Sequence, residues 1–182
     1  MPAWIHVYCA RTLEQFTAAE LVSELERADL SLAAEVYGIT DEALVRAAEA
    51  HLRLELVACG ATATFDLYYQ PPASRPLSIH RCTALAEIQE LVDEEVNEWL
   101  ADAAGPGADQ VRAHLARVRE VVSIELGFSQ LKDMGIVIAD EVARWIAMIG
   151  DGYIKDVDDV WLAIDEWNWK RLYPLPEADD QP

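Results

Sequence analysis

The sequence predicts a single α+β domain over residues 1–182, built as a mainly antiparallel sheet of about five to seven strands with helices packed on one face. Three observations carry this expectation. Short runs rich in aromatic and β-branched residues recur along the chain. Stretches with apolar residues at helical spacing lie between them. The two loop-forming segments, 71–76 and 105–107, are short interruptions inside one domain rather than linkers, and no internal repeat or low-complexity stretch divides the chain.

Residues 4–9 (Trp-Ile-His-Val-Tyr-Cys) read as the first strand. Thr17 and Glu20 form a capping box that opens a helix with Leu21, Val22 and Leu25 on its apolar face. A short helical turn over 33–37 ends at Gly38. Thr40 and Asp41 cap a further helix, with Leu44, Ala47, Ala48 and His51 on one stripe. Residues 52–58, 64–69 and 77–82 read as an antiparallel meander with 59–63 as its first turn. Pro71, Pro72 and Pro76 keep the segment between the last two strands out of the sheet.

Thr83 opens the clearest helix, over 84–101. Leu85, Ile88, Leu91, Val92, Val96 and Trp99 recur at helical spacing, and Glu87, Glu90, Asp93, Glu94 and Glu98 occupy the remaining positions. After Gly105, Pro106 and Gly107, a helix over 108–119 turns Val111, Leu115 and Val118 inward. Residues 121–128 form a strand with Val122, Ile124, Leu126 and Phe128 on one face. Residues 136–149 are nearly all apolar and read as a buried helix. A hairpin joins 153–155 to 160–164 around the acidic turn 156–159, and 176–182 has the composition of a frayed end.

Charge is the outstanding feature. There are 33 acidic and 14 basic side chains, a formal net charge of −19, of which −5 falls on residues 1–82 and −14 on residues 83–182. Nucleic-acid binding and docking on anionic membranes both rely on Lys and Arg, so neither is expected. No apolar run is long enough for a membrane span, and the N-terminal residues lack a basic, apolar leader pattern, which places the expected compartment in the cytoplasm. Three cysteines, Cys9, Cys59 and Cys82, are odd in number and widely spaced, unlike a secreted disulfide framework.

The search for chemistry finds no phosphate-binding glycine loop, no metalloprotease helix and no nucleophile elbow. No cofactor and no metal are expected. His80 and Cys82 share a strand face, but two ligands do not close a zinc site. The acidic turn lacks the Gly and Glu that a calcium loop needs, since those places hold Trp161 and Trp167. A cysteine nucleophile requires a base, and Cys9 near His80 is the arrangement to look for if their strands are neighbours. Glu125 lies in an apolar strand on the face opposite Ile124 and Leu126. An enzyme site built from His80, Cys82 and Glu125 is therefore one alternative, and a self-assembling structural subunit is another.

The favoured expectation is a non-catalytic binding protein with a protein partner. Trp161, Trp167, Trp169 and Tyr173 are interleaved with acids near the C-terminus, and such aromatic residues anchor interfaces while charged rims guide encounter. The candidate docking surface is Glu87, Glu90, Glu94 and Glu98 on the helix, Asp156, Asp158 and Asp159 in the hairpin, and Trp169. The sequence from 121 to 167 adds a resemblance. It reads Val-Val-Ser-Ile-Glu-Leu-Gly-Phe, then Ile-Ala-Asp-Glu-Val-Ala-Arg-Trp-Ile-Ala, then Gly-Asp-Gly-Tyr-Ile-Lys-Asp-Val-Asp-Asp-Val-Trp. This strand, buried helix and hairpin is similar to the C-terminal part of small bacterial polymorphic-toxin immunity proteins. The resemblance implies a cytoplasmic protein that binds and blocks one toxin, and an acidic surface fits a basic toxin domain such as a nuclease.

Overall fold

In a computed structural model, residues 2–14, 17–59, 62–70, 74–166 and 168–175 are described. Residues 60–61 of the expected turn 59–63, residues 71–73 of the expected loop 71–76, Trp167 and the tail 176–182 lie outside them.

The strands are β1 (Ala3–Cys9), β2 (Arg53–Ala58), β3 (Thr62–Tyr68), β4 (Leu77–Cys82), β5 (Glu120–Leu126), β6 (Gly152–Lys155), β7 (Trp161–Asp165) and β8 (Asn168–Tyr173). They form one sheet in the order β2-β3-β4-β5-β1-β6-β7-β8, with every pairing antiparallel. The expected α+β domain is therefore present, with eight strands instead of five to seven. β8 accounts for part of the difference. Four of its six residues are exposed, so it carries no hydrophobic alternation to announce it.

The helices are α1 (Ala18–Arg27), α2 (Leu30–Val36), α3 (Glu42–His51), α4 (Leu85–Glu94), α5 (Pro106–Leu115) and α6 (Met134–Gly150). They cover both faces of the sheet, not one. Ile5, Val7 and Cys9 of β1 and Val122, Ile124 and Leu126 of β5 face α1, α2, α3 and α6 in the larger core. Tyr8, Cys82, Val121, Trp161 and Leu172 meet α4 and α5 in a second core. One face of the central strands is thus largely apolar, while the other is apolar where Tyr8, Cys82 and Val121 meet α4 and α5 and carries His6, Ser78, His80, Ser123 and Glu125 beyond them. α6 lies so close to β1 that a Cβ on Gly150 would come within 2.6 Å of the Cys9 sulfur.

Local signals set the element boundaries. The Thr17–Glu20 capping box forms as expected, and Asp41 caps α3 by accepting from the Ala43 amide at 2.8 Å. On α3, however, Val45 and Ala48 are buried while Leu44 is exposed, so the apolar stripe is rotated by one residue. Phe128 falls two residues past the end of β5 and is 71% exposed instead of continuing the face of Leu126. α4 starts at Leu85 with Ala84 as its cap and no side-chain hydrogen bond there, and Leu85 itself is exposed.

Candidate functional site

Ile88 and Val92 seat α4 on the second core, against Tyr8, Trp161, Val111 and Leu115. The opposite side of the helix therefore presents Glu87, Glu90, Asp93 and Glu94 to solvent. Glu87 is engaged by neighbours: the Thr62 hydroxyl donates to it at 2.9 Å and the Cys82 thiol at 3.4 Å. Asp93 accepts from the Gln89 amide at 2.8 Å. Glu90, Glu94 and Glu98 form no ion pair among the described residues.

The helix does not continue regularly. Residues Glu95–Trp99 form a π-helical turn. An α-helix repeats about every 3.6 residues and would set Trp99 on the same stripe as Ile88 and Val92, which is where its spacing predicts it. The wider turn rotates less per residue, so Trp99 is carried outward and is 54% exposed. Glu95 remains on the buried side, 5% exposed. Its carboxylate is held by three hydrogen bonds: Lys155 Nζ donates to both oxygens at 2.9 and 3.0 Å, and the Tyr8 hydroxyl donates at 2.9 Å. Burial, and then the Glu95 carboxylate, push the Tyr8 phenol far above its ordinary range, so it stays a donor.

Lys155 joins the helix to the hairpin. Its ammonium lies 3.2 Å from Asp159 Oδ1 and 4.3 Å from the centre of the Trp99 ring. Asp159 adopts a left-handed backbone, φ 60°, at the end of the β6–β7 turn. Asp156 folds the turn from within: its Oδ1 accepts from the amides of Asp158 and Val160, both at 2.9 Å. Of the expected docking residues, Asp159 pairs with the buried lysine, Asp158 precedes it in the same turn, Glu94 and Glu98 flank the Glu95 and Trp99 that the lysine also touches, and Glu90 lies a turn before them. Asp156 is half-buried and organises the turn. Trp169 stands apart. It pairs with Ile164, which packs toward the larger core, so it lies at the far edge of the sheet and across it from α4.

The alternative cluster is also real as a piece of geometry. His80 and Cys82 share a face of β4, and Glu125 lies on that face of β5 opposite Ser78. His80 Nε2 is 3.9 Å from Glu125 Oε2, and its Nδ1 is 3.3 Å from the Thr64 hydroxyl. Glu125 also pairs with Arg75. Beside them, His6 Nδ1 is 2.8 Å from the Ser123 hydroxyl, and the ring of Trp4 stacks on His6. Two of these groups are poorly poised for nucleophilic chemistry, however. Burial raises the Cys82 thiol pKa, so it is not a ready thiolate. Burial, with Lys155 next, pushes His6 down to about 4, which leaves a weak base beside Ser123. Cys9 lies on the opposite face of the sheet from His80, so the proposed nucleophile and base are separated by the sheet itself. Among the described residues, no group of three or more His, Cys, Asp or Glu side chains is placed to hold a metal ion, and no helix is long and apolar enough to cross a membrane.

Sequence reasoning missed Tyr8, Glu95, Lys155 and Trp99 as a unit. One signal was available: Glu95 falls on the apolar stripe of Ile88 and Val92, and a carboxylate in a buried register demands a partner. Comparison of the chain with protein-family models, with curated proteins and with solved structures gives no match to any of them.

Proposed function

We propose that this protein is an acidic binding protein that docks a basic protein partner on α4, the π-helical turn and the β6–β7 turn, and that it neutralises this partner as an immunity protein blocks a toxin. The observation that carries the reading is the gathering of Glu90, Glu94, Glu98, Asp158 and Asp159 on one side of the fold, with only Asp159 in an ion pair among the described residues. Leaving a contiguous set free creates a field that attracts and orients a basic surface. A nuclease toxin fits this chemistry, because its substrate groove must be basic to hold phosphates. The cytoplasm is the compartment that this role implies.

Affinity capture from the native cell lysate at low and at raised salt tests the reading, with Glu90→Lys/Glu94→Lys/Glu98→Lys in parallel. One basic protein should be retained at low salt, weakened by salt, and lost from the triple variant. Expressed alone, that protein should arrest growth, and co-expression of this chain should relieve the arrest. Retention of the partner by the triple variant, or a partner with no inhibitory activity, overturns the reading.

A further inference from the structure

We propose that Trp99 is the anchor of this surface and that it receives an arginine side chain of the basic partner, stacked on the outer face of the indole. The proposal rests on the reading of α4 and the β6–β7 turn as a docking face. Its own observation is the way Trp99 is held. Trp99 is more than half exposed, and its ring rests on the Lys155 ammonium, 4.3 Å from its centre. That ammonium is fixed in turn by Glu95 at 2.9 and 3.0 Å and by Asp159 at 3.2 Å. A large aromatic surface is therefore preorganised at the protein surface, and the partner has little ordering left to impose.

Charge selects the occupant. Lys155 contributes one positive charge against the two carboxylates that touch it, so the base beneath the indole is net negative despite the lysine. Glu98 precedes Trp99 in the chain, Glu94 lies one turn before it, and Asp158 adjoins Asp159, so the rim adds further carboxylates. A cation over the free ring face gains from the ring and from the rim together. Arginine suits both demands: its planar guanidinium stacks on an aromatic face while its edge donates to carboxylates. A lysine ammonium is more strongly hydrated and cannot stack. Exposed tryptophan centred in a polar rim is also the residue type most enriched where interfaces concentrate their affinity.

The test uses the whole protein and two probes, an end-capped hexa-arginine peptide and an end-capped hexa-lysine peptide, at low salt. Binding is followed by the indole N–H resonances, with the Trp99 signal assigned from Trp99→Phe. The arginine peptide should shift the Trp99 signal saturably and bind several-fold tighter than the lysine peptide. Trp99→Ala should weaken it about five- to tenfold, and Trp99→Phe less. If Trp99→Ala binds as wild type while Glu90→Lys/Glu94→Lys/Glu98→Lys does not, the anchor is wrong and the acidic surface stands. If neither variant weakens binding, the docking face itself is wrong. Equal affinity for the two peptides with an unmoved Trp99 signal also overturns the anchor.

Discussion

Lys155 and Glu95 form a bidentate ion pair in which each residue is only 5% exposed, and this pair fastens β6 to the π-helical turn. Desolvation offsets most of the attraction in such a pair, so its existence is weak evidence of net stabilisation. Its structural consequence is sharper. It fixes the ammonium on which Trp99 rests and from which Asp159 is positioned.

Removing one partner of the pair strands a buried charge. Glu95→Gln and Lys155→Met are each expected to lower the unfolding free energy by about 3–5 kcal/mol, with Glu95→Gln at the lower end because Asp159 still faces the lysine. The triple variant Tyr8→Phe/Glu95→Leu/Lys155→Met, which also removes the hydroxyl that would lose its acceptor, should recover most of that loss. Urea unfolding of the set measures the coupling. Single variants costing less than about 1 kcal/mol, in the range of exposed pairs, would contradict a buried network.

His6 gives stability a dependence on acid. Burial holds its folded pKa near 4, below the ordinary 6.5, so the unfolded chain takes up a proton that the folded protein refuses. The His6 contribution is complete above pH 6.5 and is lost as pH falls toward 4. His6→Gln should flatten this part of the stability profile, measured by urea midpoints between pH 7.5 and 4.5. An unchanged slope would show that His6 is not buried neutral.

Asp140 works in the opposite direction. Burial, and then the nearby Asp156 and Glu141, raise its pKa to about 7, while the Tyr37 hydroxyl donates to it. The folded protein therefore holds a proton that the unfolded chain releases, and this contribution grows as pH falls through 7 and is lost as pH rises. Asp140→Asn mimics the protonated form and keeps an acceptor for Tyr37. It should be at least as stable as wild type at pH 8 and should gain less on acidification to pH 5.5. Equal urea-midpoint shifts in the two proteins over that range would contradict the burial of Asp140.

The thiols differ in access. Cys59 is exposed, Cys9 is buried with its pKa pushed well above the ordinary range, and Cys82 is buried against Glu87. Ellman's reagent should titrate one fast equivalent in the native protein, and Cys59→Ser should abolish it. A second fast equivalent would mean that α4 does not cover Cys82.

Much of the fold was legible in the sequence because its signals are local. The β2–β3–β4 meander, the capping box at Thr17 and the buried α6 follow from alternation, side-chain capping and continuous apolarity. Periodicity places Leu85, Leu44 and Phe128 inward, yet each lies where its element ends or its stripe turns, and periodicity does not mark those points. The acidic half of the proposed docking surface is visible in the sequence, since Glu90, Glu94 and Glu98 repeat at helical spacing. Its centre is not. The π-helical turn begins at Glu95, whose partner Lys155 is sixty residues away, and no local periodicity marks that pairing.

The most direct test of the proposed docking face is amide hydrogen exchange of the protein alone and in complex with its captured partner. New protection is expected over residues 85–99 and 156–160, with the β8 edge around Trp169 and the outer sides of α2 and α3 unchanged. Protection confined to α2, α3 or β8, with 85–99 exchanging as in the free protein, would contradict it.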